Sequence, residues 1–216
     1  MPPGAAVVYV HGLWMRGIES ALLRHRLQAE RGYRVYVFHY RSMTETVPRI
    51  VAALSDLVAG IDAPRVHLLG HSLGGLIVLR YLQNGAMQQP GRVVLLGTPC
   101  SGSRAARRVG EWSFGRWTLG QRVLGLAACA ELLAHGPRRW EVERELGIIA
   151  GTLPIGMGHL LLTFGEANDG VIAVSETELS GASSRLCLPV SHSGMLLSAR
   201  VATEVGNFFE HGRFGP

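Results

Sequence analysis

Gly70-His71-Ser72-Leu73-Gly74 constrains this chain more than any other stretch, because it joins two runs of different periodicity. Arg65-Val66-His67-Leu68-Leu69 before it reads as a short buried strand. From Leu73 to Asn84 the apolar residues Leu76, Ile77, Leu79 and Tyr81 recur at helical spacing. Ser72 therefore stands at a sharp strand-to-helix turn. Side chains two positions before and after it are expected to collide, which explains Gly70 and Gly74. The hydroxyl then projects from the end of the strand. The N-terminus of the next helix lies beneath it, where N–H groups and the helix dipole stabilise developing negative charge.

A serine hydroxyl needs a base to take its proton and a group to orient that base. Of three aspartates, Asp56 and Asp62 precede Ser72 and only Asp169 follows it, within the turn-forming Glu166-Ala167-Asn168-Asp169-Gly170. Asp169 is the expected acid, with Glu166 as the fallback, on a loop after a strand at Leu146–Gly151. Arg185 to Val190 reads as the last strand. Ser191-His192-Ser193-Gly194-Met195 follows it, ahead of a helical run ending near Glu210. His192 is the expected base. His135 and His159 lie in loops that compete for the role, His211 lies near a terminus, and His71 supports the turn.

Negative charge on a reacting oxygen needs two converging N–H donors, one of them on the residue after the nucleophile, Leu73. The second is expected from Leu13. It follows Val10-His11-Gly12 at the end of a first strand, where glycine lets the backbone come close. Trp14, Met15 and Cys100 are the expected pocket lining, the first two because they directly follow that donor.

These segments, with Gly97-Thr98-Pro99-Cys100-Ser101-Gly102-Ser103, resemble a small serine α/β-hydrolase, specifically a compact bacterial lipase or esterase. Cys100 stands where the inositol-deacylase-like group commonly has histidine. The resemblance implies ester hydrolysis through an acyl-enzyme, with a Ser72, Asp169, His192 triad and with no metal or organic cofactor. A small-molecule or lipid ester is the implied substrate. A thioesterase or acyltransferase on the same fold, or a non-catalytic binding protein that keeps the elbow, are the alternative readings.

Strands near Ala5, Arg34, Arg65, Gly91, Leu146 and Ser184 alternate with helical runs near Glu19, Val47, Leu73, Gln121 and Ser193. That alternation predicts an α/β-hydrolase fold reduced to a mostly parallel sheet of about six strands, with helices on both faces. One domain over residues 1–216 is expected, with 104–144 as a candidate cap in which Trp112, Phe114, Trp117 and Trp140 are interspersed. The first residues lack signal-peptide order, which predicts a cytoplasmic location. Three cysteines without paired or metal-site spacing predict no disulfide framework.

The net charge of +5 comes from arginine alone, since the chain has no lysine. Nothing in it resembles a nucleic-acid-binding motif. Arg104, Arg107 and Arg108 form the one dense patch, read as a solvated face, and a transient contact with a lipid surface is compatible with it. No feature of the sequence sets an oligomeric state.

Overall fold

Six short apolar runs build the sheet: β1 (Ala6–Val10), β2 (Arg34–Phe38), β3 (Val66–His71), β4 (Val93–Leu96), β5 (Leu146–Gly151) and β6 (Ser184–Leu188). Every pairing is parallel and the order is β2-β1-β3-β4-β5-β6. A computed structural model describes residues 4–42, 44–85, 89–104, 131–133, 139–156 and 165–215. Its named α-helices are α1 (Ala21–Arg31), α2 (Val47–Ala59), α3 (Leu73–Gln83) and α4 (Ala199–His211).

The strands read as continuous hydrophobic runs because both faces of the sheet are covered. Along β1, Ala6, Val8 and Val10 pack with Ile50, Leu54, Ile77 and Leu76 of α2 and α3. Val7 and Tyr9 pack on the other side with Leu23 and Leu27 of α1 and with Val205, Phe208 and Phe209 of α4. The period of two thus sorts alternate residues of one strand into two cores. The edge strands differ. Arg34 on β2 and Arg185 on β6 are exposed, and such charges discourage pairing with another sheet.

Two element boundaries depart from the sequence expectation. The helical run expected from Ser193 begins as a short 3-10 turn at Gly194–Leu196, and α4 starts only at Ala199. Ser198 Oγ accepts the Val201 N–H at 3.3 Å and resets the helix start there. Likewise a 3-10 turn at Ile18–Ser20 precedes α1. The Gln121 helix and most of the expected cap lie outside the described residues. Trp140 is described and is buried, its Nε1–H donating to the Arg144 carbonyl at 2.6 Å.

Between β1 and β3 the connections leave the sheet in opposite directions, since β2 lies to one side of β1 and β3, β4, β5 and β6 follow on the other. A crevice opens beyond the carboxyl ends of strands at such a switch point. Gly12 and Leu13 follow β1, and Ser72 follows β3. The fold therefore brings together, across that crevice, segments sixty residues apart in the chain. Among the described residues no helix is long and apolar enough to cross a membrane.

Candidate active site

Ser72 has φ of 54°, a conformation that a residue with a side chain adopts only when its surroundings impose it. Those surroundings are backbone. A Cβ at Gly70 would fall 2.5 Å from Gly75 Cα, and one at Gly74 would run into the Val10 carbonyl. The two glycines are thus not needed to avoid each other, as the sequence suggested. Gly70 makes room for the first turn of α3, and Gly74 lets α3 press against the end of β1. The Ser72 N–H donates to the Leu96 carbonyl at 2.9 Å, tying the turn to the end of β4.

The residue after Leu96 explains the Gly97-Thr98-Pro99 segment. Gly97 has φ of 53°, and a Cβ there would stand 3.0 Å from both Asp169 Oδ2 and His192 Nδ1. Asp169 Oδ2 and His192 Nδ1 are themselves 2.7 Å apart. A carboxylate oxygen accepts, so Nδ1 carries the proton and Nε2 is left as the basic nitrogen. The other carboxylate oxygen, Oδ1, accepts the N–H groups of Val171 at 2.9 Å and Ile172 at 2.7 Å. The His192 N–H also donates to the Asp169 carbonyl at 2.8 Å. Side chain and backbone together hold the pair, and both residues are buried.

We expect Gly97→Ala to lower kcat by about tenfold to a hundredfold, because a Cβ at positive φ pushes on both members of this pair. Steady-state kinetics beside a thermal melt separates that effect from unfolding. Normal kcat in folded protein would show that the pair tolerates the intrusion.

His71 ties His192 to the turn. Its Nε2–H donates to the His192 carbonyl at 3.0 Å, and the two ring centroids are 4.8 Å apart. Burial first, then the charge of His192, pushes the His71 pKa down to about 3, so this ring is a neutral spacer and not a second base. His67 is pushed down to about 3 as well, first by burial and then by Arg92, Arg65 and Arg144. In the unfolded chain both titrate near the ordinary histidine value of about 6.5. Between those values the unfolded state binds protons that the native state refuses. Stability is therefore complete above about pH 6.5 and falls as pH drops toward 3, by about 1.4 kcal/mol per pH unit for each ring. Urea midpoints at neutral and mildly acidic pH check this. A flat profile between them would show that one or both rings accept protons in the folded state.

The loop after β1 is braced by groups that local sequence patterns do not reveal. His11 stacks on Tyr40 with centroids 4.2 Å apart, and the Tyr40 hydroxyl donates to the His11 carbonyl at 2.7 Å. His11 Nδ1–H and the Met15 N–H both donate to the Gly12 carbonyl, at 2.9 and 3.4 Å. In a trans peptide the C=O and N–H point in opposite directions, so fixing the Gly12 carbonyl also fixes the Leu13 N–H. Among the described residues neither the Leu13 N–H nor the Leu73 N–H has a hydrogen-bond partner. The Trp14 N–H, by contrast, is taken by Ser42 Oγ at 3.3 Å. A Cβ on Gly12 would lie 3.2 Å from Ser72 Cβ, which places this loop directly against the serine.

The expected pocket residues are distributed differently. Trp14 has φ of 61° and is 62% exposed, so its ring faces outward. Met15 is half-buried beside Gly12. Cys100 is packed into the core on the α2 and α3 face, where burial pushes its thiol up to about 12. Glu166 is paired elsewhere, with Oε1 2.6 Å from an Arg104 guanidinium nitrogen, and it is Asp169 that meets His192. Arg104 is thereby directed at the acid loop, and Glu176 joins it there by accepting the Arg104 N–H at 2.5 Å and the Ala173 N–H at 2.9 Å. Glu176 braces the segment that carries Asp169, a role that only its burial discloses. Arg107, Arg108, Trp112, Phe114, Trp117, His135 and His159 lie outside the described residues. Among the described residues no group of three or more His, Cys, Asp or Glu side chains could hold a metal ion.

An all-parallel sheet with a serine at the β3 to α3 turn, an acid after β5 and a histidine after β6 defines a class. The chain belongs to the alpha/beta hydrolase family, whose model matches residues 7–199. Its structure is similar to a mature lipase of Bacillus licheniformis, BlEst2, with TM-score 0.71 and 18% identity over 98% of this chain and 93% of that one. It is also similar to a lipase-esterase related protein of Clostridium acetobutylicum, with TM-score 0.64, 11% identity and coverages of 97% and 94%. The Vlm2 thioesterase domain bound with a dodecadepsipeptide matches with TM-score 0.57, 16% identity and coverages of 98% and 94%. No curated protein matches the sequence.

Proposed function

We propose that this protein is a serine hydrolase that cleaves carboxylic esters through an acyl-enzyme, with Ser72 as nucleophile, His192 as base and Asp169 as orienting acid. The observation that carries this reading is the Asp169 and His192 pair, 2.7 Å apart, held against Gly97 and tied to the serine turn through His71. As Ser72 Oγ attacks the ester carbonyl, its proton passes to His192 Nε2. The tetrahedral oxyanion takes the Leu13 and Leu73 N–H groups, and the alcohol leaves with the proton from Nε2. Water then repeats the sequence on the acyl-enzyme. The lipase and esterase neighbours support the class of substrate, while the thioesterase neighbour keeps thioesters within reach of the same intermediate.

The surface supports a substrate with apolar parts. Trp14 and Ile18 follow β1, Leu153 and Ile155 follow β5, Leu197 follows the His192 loop, and all are exposed. These large hydrophobic side chains lie on segments that follow the carboxyl ends of strands, the edge at which an acyl chain or a lipid surface would meet them.

Fluorophosphonate labelling located by peptide mass analysis, together with turnover of p-nitrophenyl esters and the matching thioesters, tests the proposal. Labelling at Ser72 with ester turnover supports it. A binding protein would give neither. A preference for thioesters would move the assignment to the second reading. Because the base must be neutral to accept the Ser72 proton, kcat/KM for a neutral ester is expected to rise with pH through a single ionisation and then level off. EDTA is expected to leave that plateau unchanged. A chelator-sensitive rate restored by zinc would replace the serine mechanism with a metal one.

A further inference from the structure

A cleft of about 190 Å³ opens at the amino edge of the sheet, where the ends of α1 and α4 meet the starts of β1 and β3. Its walls are aromatic. His67 and Phe209 stack with centroids 4.5 Å apart, and Tyr33 stands edge-on to them at 5.7 and 5.9 Å. Five residue steps along and just past β3, each advancing about 3.3 Å, separate His67 from Ser72, so an occupant of this cleft cannot reach the serine.

The solvent-accessible polar groups at the cleft include donors without acceptors, while Glu210 Oε1 on the same lining is a sealed acceptor without a donor. His67 Nδ1 accepts the Arg92 N–H at 3.0 Å, so it is the bare nitrogen and the ring proton sits on Nε2. Among the described residues neither that Nε2–H nor the Tyr33 hydroxyl has a hydrogen-bond partner, and neither atom is sealed from solvent. The charges are also unbalanced. Arg31 is taken up by Glu210 at 3.0 Å and Asn207 at 2.9 Å, and Glu210 faces His211 at 3.6 Å. Arg65 has no such partner among the described residues. One uncompensated cation beside two idle donors, in a cleft whose rim includes the exposed His211 ring, suits a single small anion with a flat apolar body.

We propose that this cleft is a second binding site, separate from the serine, for a small monocarboxylate with an aromatic or short aliphatic body. The carboxylate sits against Arg65, His67 Nε2–H and the Tyr33 hydroxyl, and the body lies in the mouth of the cleft against the exposed Gly32 and His211. The inference is independent of the reaction proposed at the opposite edge.

Benzoate is the probe, titrated into the full-length protein by calorimetry and by amide chemical shifts, with Ser72 first blocked by a fluorophosphonate or replaced in Ser72→Ala. Saturable binding is expected, with shifts confined to the amides around Tyr33, His67, Phe209 and His211. Arg65→Ala and Tyr33→Phe are each expected to weaken it by about tenfold while leaving ester turnover unchanged. Arg65 is exposed and Tyr33→Phe removes one oxygen, so both variants are expected to fold. Inorganic phosphate and benzyl alcohol are the control arms, and both are expected to bind much more weakly. Absence of saturation, equal binding to both variants, or shifts centred on Gly12 and Leu73 would overturn the proposal. Equal affinity for phosphate would overturn the role of the apolar body, and equal affinity for benzyl alcohol that of the charge.

Discussion

Ser72→Ala is expected to lower ester turnover by about 10⁴- to 10⁶-fold, with His192→Ala falling into the same range. In the proposed mechanism the two side chains act as a unit, so removing either would leave only what the N–H groups of Leu13 and Leu73 contribute, and the double variant should be little worse than either alone. The losses should not come from unfolding. Ala accepts the positive φ at position 72 as poorly as Ser does, so the strain there is unchanged and the melting temperature should move little. Kinetics with protein free of contaminating esterase, read beside a thermal melt, decides the matter. Near-normal turnover in Ser72→Ala would place the nucleophile elsewhere.

Asp169→Asn is expected to cost about 10³- to 10⁴-fold in kcat with the acid loop intact. The amide oxygen can still accept the Val171 and Ile172 N–H groups that Oδ1 accepts now. The amide NH₂ then faces His192 Nδ1, where Oδ2 stands at 2.7 Å in the native protein. A donor in that place favours the tautomer with the proton on Nε2, which can no longer accept one from Ser72. The contrast with Glu166→Gln checks the assignment. Glu166 is engaged by Arg104 and makes no hydrogen bond to the histidine among the described residues, so its loss should leave kcat within about twofold. Equal losses in the two variants would mean that the acid has been misplaced.

The sheet was legible in the residues because its four central strands are buried on both faces. Each of these is then an apolar run bounded by turn formers, and the edge strands β2 and β6 are mixed runs that begin at or beside an exposed arginine. The placement of Ser72, Asp169 and His192 in the fold was legible for a related reason. Ser72 and His192 stand in loops directly after two of those runs, Asp169 stands in the longer connection from β5 to β6, and a parallel sheet gathers such connections along a single edge. Serine between glycines and Asn-Asp-Gly are local signals, and their chemistry follows from residue type. Helix starts were less legible, since α4 waits for the Ser198 cap although apolar residues precede it.

What the sequence determined by itself is therefore the order of the elements, their parallel arrangement and the three side chains brought to one edge. The tertiary structure alone decided how closely these elements approach one another. Gly97 can be understood only once Asp169 and His192 are seen against it, and Gly74 only once α3 is seen against the Val10 carbonyl. His11 and His71 look alike in the sequence, yet one carries its proton on Nδ1 for Gly12 and the other on Nε2 for His192, a residue 121 positions away. Cys100 sinks into the core, and Glu166 turns to Arg104. Burial and hydrogen-bond partners are set by contacts between segments distant in the chain, and local patterns carry no record of those contacts.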